Sequence, residues 1–316
     1  MNIRTVSAVT VLVLATAGAG VVAQVSSSER VNDVPQRPAL LAGCPTQNLA
    51  FHTCAVQKAR TFRPRRTSGG RPDLQGYWVS ALTQPFSVEG VADDDPMALD
   101  PFMPWEVAPP EIVDPADGKI PYQPWAVAIG RRGINFREYI DPRTTCSTAG
   151  LPRLALQDAS QILQPPTDDH ILWLHDDHHQ FRVIPMGQRP PVGRDIKTWN
   201  GLAHGRWDGN TLVIETTNLN GDTWIDDSGN FYTDGAHITE RLTMLDTDTI
   251  HYALTSEDTN GYTRPWTIAW ALVRVTEPNF QLLEEACREG ERTVDDLHTR
   301  GYKYYFGAPW RAPGRR

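Results

Sequence analysis

Ala203-His-Gly-Arg-Trp-Asp-Gly-Asn-Thr-Leu-Val-Ile-Glu-Thr216 is the stretch that decides the fold. Ala203–Trp207 and Thr211–Thr216 flank Asp208-Gly209-Asn210, and Asp-Gly supplies the positive φ that tight hairpin turns demand. The same pattern recurs on both sides. Ile171-Leu-Trp-Leu-His175 and Gln180-Phe-Arg-Val-Ile184 are β-branched and aromatic around the polar turn Asp176–His179. His237–Leu245 and Thr249–Glu257 enclose Asp246-Thr247-Asp248. In Pro265–Val275, Trp266, Ile268, Trp270 and Leu272 recur at period two, as in a strand with one buried face. Short strands at this spacing favour a barrel or sandwich over a parallel α/β sheet, and a meander that closes removes its exposed edges. The expected fold is mainly β, an antiparallel meander closing into a barrel.

Residues 1–23 read as a cleavable signal peptide. Arg4 is the basic n-region, Val6–Val22 is apolar and small, and Val21-Val22-Ala23 fits the small-x-small cleavage rule. Leu41-Ala42-Gly43-Cys44 has the form of a lipoprotein cleavage box, but the polar, charged stretch Gln24–Pro38 before it is no h-region. The expected location is periplasmic or secreted, with no membrane span after cleavage. The net charge of -8 argues against nucleic acid as a partner. Four cysteines in an exported chain predict two disulfides. Three pairings are open; Cys44–Cys54 with Cys146–Cys287 is preferred because each bond then staples one region. No Cys-x-x-Cys points to redox catalysis.

Residues 24–70 read as an extended or disordered lead-in carrying a basic cluster, Lys58, Arg60, Arg63, Arg65 and Arg66, expected to be a solvated linker. Residues 71–290 read as a single barrel-like domain, and 291–316 as a C-terminal tail. Within the domain, Pro72–Trp78 begins the first core strand. Asp93–Pro124 is a proline-dense irregular insert, since proline removes a ladder donor. Residues 123–139 hold the best helix, entered at Pro124, and Asn279–Arg288 is expected to be a strand or a short closing helix. Whether residues 71–165 form a separate lobe, and the oligomeric state, are left open.

Six motifs occur in order: Pro72-Asp-Leu-x-Gly-x-Trp78, Pro121-Tyr-x-Pro-Trp125, Gly205-Arg-Trp-x-Gly-x-Thr-Leu-Val213, His237-Ile-x-Glu-Arg241, Tyr262-Thr-Arg-Pro-Trp266 and Glu277-Pro-Asn-x-Gln-Leu-Leu-Glu284. With this series the chain resembles a group of secreted bacterial proteins of uncharacterised function, over roughly residues 71–289. That resemblance implies an exported protein and carries no chemistry. Gly76-Tyr-Trp78 ahead of a meander is also similar to the Gly-x-Trp opening of lipocalin-like barrels, from which the Pro-rich insert departs.

His237 and Glu240 are the first candidates for chemistry. In a strand, His237, Thr239 and Arg241 share one face, while Ile238, Glu240 and Leu242 share the other. A carboxylate on an apolar face is costly unless paired, and a buried Glu or a cleft His suits general acid–base work. The plainer reading pairs Glu240 with Arg264, Arg274 or another arginine. Tyr262 and Arg264 bring a phenol and a guanidinium together, able to donate to an oxyanion and to clamp a carboxylate. Trp207, Trp224, Trp266 and Arg241 are the expected substrate-binding residues. Glu215, Asp222, Asp226 and Asp227 near Trp224 offer paired carboxylates of glycosidase type, or a polar loop. His175, His178 and His179 are the metal candidates, against a solvated polar turn. No nucleotide motif occurs and no cofactor is expected.

The reading that follows is an exported, cofactor-free acid–base enzyme (lyase, isomerase or hydrolase) acting on a small hydrophobic or aromatic molecule, with His237, Glu240, Tyr262 and Arg264 around the pocket. The first alternative is a non-catalytic, lipocalin-like binding protein for an apolar small molecule. The second is a metal-dependent enzyme using the His175–His179 cluster.

Overall fold

The computed structural model describes residues 40–81, 87–92, 107–130, 139–156, 159–187, 193, 195–283, 287 and 297–304. The expected signal (1–23), residues 93–106 of the proline-dense insert and the tail beyond 304 lie outside them. In chain order the elements are β1 (Leu40–Leu41), β2 (Cys44–Pro45), α1 (Asn48–Ala59), β3 (Gly76–Ser80), β4 (Ile112–Asp114), α2 (Pro124–Gly130), β5 (Tyr139–Ile140), α3 (Arg153–Leu156), β6 (Ala159–Leu163), β7 (His170–His175), β8 (Phe181–Pro185), β9 (Leu202–Asp208), β10 (Thr211–Thr217), β11 (His237–Met244), β12 (Thr249–Glu257), β13 (Trp266–Arg274) and β14 (Lys303–Tyr304).

The main sheet runs β8-β7-β6-β3-β13-β12-β11-β10-β9 through antiparallel ladders, with β4 beside the first half of β13. It is a nearly closed, barrel-shaped sheet. The expected hairpins are present: β9 and β10 join across the two-residue loop Gly209-Asn210, with Gly209 at φ +60°. Among the described residues the ring counts nine strands, and nine alternating directions cannot close without one parallel pair of neighbours. That pair is β8 and β9, joined by the parallel bridge between Met186 and Gly205. Gly205 permits the approach: a Cβ there would lie 2.4 Å from the Met186 Sδ.

Alternation along each strand fills the barrel. Trp266, Ile268, Trp270 and Leu272 of β13 join Trp78, Trp173, Tyr252, Ile214 and Leu242 inside. Outside, Ala271 and Leu245 receive Phe51 and Ala55 of α1. The lead-in is therefore not merely extended. Asn48, Phe51 and Ala55 recur at helical spacing and are buried, so α1 has one face to dock. The disulfide Cys44–Cys54 ties α1 to β2, and Cys146–Cys287 joins the start of the hairpin region to its end. Two disulfides fit an oxidising compartment. Asn279–Leu283, expected as strand or helix, has no regular structure. Among the described residues no helix is long and apolar enough to cross a membrane.

Candidate functional site

Glu240 lies inside the barrel on β11, fully buried, and it is paired. Arg182 of β8 donates to both of its oxygens, at 2.9 and 2.5 Å, and the Tyr252 hydroxyl donates to Oε1 at 2.7 Å. Arg182 also donates to Thr216 Oγ1 at 3.3 Å and lies 5.7 Å from the Trp173 ring centroid. Burial alone would pull the Arg182 pKa down, but the Glu240 carboxylate outweighs it and the guanidinium is held charged. Burial and the Glu240 charge push the Tyr252 hydroxyl well above its ordinary range. The partner is thus an arginine, as the plainer reading held, but neither Arg264 nor Arg274. Both oxygens of this carboxylate are taken up by a guanidinium fork and a phenol, so it is held as a buried ion-pair partner.

The other three proposed catalytic residues are elsewhere. His237 begins β11 on its outer face, where the two-residue period puts it opposite in direction to Glu240. Tyr262 is buried at one end of the barrel, donating to the Phe231 carbonyl at 2.8 Å and standing edge-on to Trp266. Arg264 is half-exposed and bound to Asp114 at 2.6 Å. The quartet does not share a pocket. Nor do the proposed substrate-binding residues form one wall. Trp224 and Trp266 are fully buried, Trp207 packs partly buried against the core, and Arg241 points outward to Asp208 at 2.8 Å.

The histidine turn also separates. His175 ends β7 facing the interior, 5.2 Å from Trp173, and neither of its ring nitrogens makes a well-formed hydrogen bond. Burial, then the Arg182 charge, hold its pKa at about 3 against a small opposing pull from the Leu154 carbonyl. His178 sits beyond the strand at φ +49°, beside Asp177, and the His179 side chain lies outside the described residues. Among the described residues no three His, Cys, Asp or Glu side chains come together as a metal site. The carboxylates near Trp224 are structural. Asp226 accepts from the Val88, Ser228 and Asn230 backbone N–H groups and from two side chains, and Asp227 meets Arg153. Glu215 is outside, 3.7 Å from Arg206.

The opposite end of the barrel holds a cavity of about 440 Å³. Met244, at the inner end of β11, and Phe62 and Pro64 of the lead-in give it apolar surface; Arg63, Arg65 and Arg274 give it guanidinium groups, with Asp73 and Asp248 opposite. Arg274 stacks 4.2 Å over the Trp78 ring and donates to the Gln75 and Thr247 carbonyls. Gly76 leaves space for this guanidinium, since a Cβ there would lie 2.2 Å from its Nη1. The ion pairs are loose, Arg274–Asp248 at 3.3 Å and Arg65–Asp73 at 3.8 Å, and Arg63 makes none among the described residues.

Sequence reading missed Arg182 and the role of the basic cluster. Arg182 shares a strand face with Ile184, the same irregularity as Glu240 between Ile238 and Leu242, and the two odd charges satisfy each other. The cluster was read by composition, and composition does not say that its backbone crosses a barrel end. No protein-family model matches the chain, and neither a curated protein nor a solved structure matches it.

Proposed function

We propose that this is an exported small-molecule-binding protein of barrel type, holding an amphipathic organic anion at the end of the barrel capped by residues 62–65. The observation that carries the reading is the cavity there, with Phe62, Pro64 and Met244 for an apolar body and Arg63, Arg65 and Arg274 for a carboxylate or sulfonate. The three guanidinium groups make a local cationic patch on an otherwise acidic chain and attract such a ligand at short range. Binding is favoured over acid–base catalysis because Glu240 is consumed by Arg182 and Tyr252, and His237 lies on the other face of its strand. Export is supported by the apolar leader and the two disulfides.

The test is a fluorescence titration with 8-anilinonaphthalene-1-sulfonate beside a neutral aromatic dye of similar size. The expected result is saturable binding of the sulfonate, quenching of tryptophan emission through Trp78, and about tenfold weaker binding in Arg63→Ala, the loss of one charged contact. Equal affinity for the neutral dye, or no change in Arg63→Ala, would overturn the reading.

A further inference from the structure

A second cavity, of about 530 Å³, lies on the outer face of the barrel between α1 and strands β10 to β12. His52, Val56, Ala59 and Arg60 of the lead-in form one wall; Asn210, Thr211, Arg241, Thr243, His251 and Ala253 form the other. Among the described residues no carboxylate lines it. Two further observations bear on its ligand. His52 Nδ1 and His251 Nε2 stand 3.1 Å apart across the groove, so one ring donates to the other. Arg60 is exposed at the C-terminal end of α1 and forms no ion pair among the described residues, while Arg241 is shared with the exposed Asp208.

From this geometry we infer that the groove binds an oxyanion group, a carboxylate, sulfate or sulfonate, between Arg60, Arg241 and the His52–His251 pair, and that binding takes up a proton. The groups facing the two imidazoles are Arg60 on α1, Arg241 on β11, the Thr211 and Thr243 hydroxyls, joined at 2.8 Å, and Asp208 only through Arg241. Among the described residues the permanent charges lining the groove, Arg60 and Arg241, are both positive. Burial lowers the pKa of both rings, and the His52 and Arg241 neighbours add to this at His251, so the pair stays neutral. An anion seated between the arginines reverses the local sign. A proton can then enter the imidazole pair and be shared along the existing N···N contact, with both ring faces of the groove becoming donors. Val56, Ala59 and Ala253 leave apolar surface beside the anion, suited to an organic oxyanion with a small hydrocarbon part.

The experiment is calorimetric titration of the intact protein with sulfate, whose charge does not change between pH 5 and 8, in buffers of different ionisation enthalpy. Benzenesulfonate, run in parallel, separates a free inorganic ion from an organic one. The expected result is net proton uptake near pH 6 and affinity rising up to tenfold per pH unit as pH falls, the limit for one linked proton. Arg60→Ala weakens binding at every pH. His251→Asn keeps binding but loses the uptake, and His52→Asn, at a less buried position, does the same if the first variant folds poorly. Thr53→Ala, on the exposed side of α1 and outside both cavities, leaves sulfate binding unchanged. Failure of sulfate to bind, binding unchanged in Arg60→Ala, or binding without proton uptake in the wild type overturns the inference whether or not the end cavity binds its own ligand.

Discussion

The two ends of the barrel are closed by different chemistry. At one end the β10–β11 and β12–β13 connections turn inward and bury their carboxylates. Asp226 receives five hydrogen bonds, from Val88, Ser228 and Asn230, and burial still raises its pKa. Asp258 accepts from the Thr233 backbone and hydroxyl at 2.6 and 2.8 Å, and Arg153 sits between Asp141 and Asp227. Tyr122 and Tyr262 both turn their hydroxyls to the Phe231 carbonyl. At the other end, residues 62–65 lie across the opening with exposed arginines and ion pairs of 3.3 Å or more. Buried, saturated polar networks rigidify, whereas loose contacts in water contribute little. On the function proposed above, one end is the base and the other the mouth, and ligand sites are drawn from the less stable end.

The sharpest way to break this comparison starts between the ends. Glu240→Ala strands the Arg182 guanidinium inside the barrel and is expected to cost about 3–5 kcal/mol, measured by urea unfolding. Replacing both partners, Arg182→Met with Glu240→Leu, recovers most of it; a double variant as unstable as the single one would show the pair holds more than its own charges. Next come the ends themselves. Asp226→Ala leaves several buried donors unmatched and is expected to cost on the order of 3 kcal/mol, whereas Asp73→Ala at the mouth costs at most about 1 kcal/mol. Equal losses in the two variants would erase the distinction between base and mouth.

The last comparison sets the barrel's inside against its outer face. His175 within and His251 under α1 both have folded pKa values of about 3, below the ordinary 6.5. The unfolded chain therefore binds more protons on acidification. The stability these histidines contribute is present above pH 6.5 and is lost as pH falls from 6.5 toward 3. Each is expected to cost roughly 2 kcal/mol between pH 6.5 and 5, and His251→Asn removes its share of that slope without touching the share of His175. Urea midpoints at several pH values, in chloride buffers, read this directly.

Much of the sheet was legible. The Asp208-Gly209 turn, the period-two pattern of Trp266 to Leu272, and the disulfide pairing chosen for stapling separate regions all correspond to what is observed. The helix α1 was not, because its buried stripe of Phe51 and Ala55 is narrow and sits in a stretch whose overall composition is that of a linker. Arg182 was hidden for a different reason. Phe181-Arg-Val-Ile184 has its two-residue apolar face on Phe181 and Val183, so alternation alone would turn the arginine outward; the structure leaves Phe181 and Val183 exposed and turns the arginine inward.

The sequence by itself determined strand positions, turns and which residues share a face, because these depend on contacts within a few residues: a side-chain period of two and a glycine φ. It also set Glu240 apart as a charge in an apolar row. Only the tertiary structure decided that this charge meets Arg182, and that Arg63 and Arg274, more than two hundred residues apart in number, line one cavity. Those pairings follow from how the nine strands close around the β8–β9 seam, and ring closure is a property of the whole sheet that no local pattern encodes.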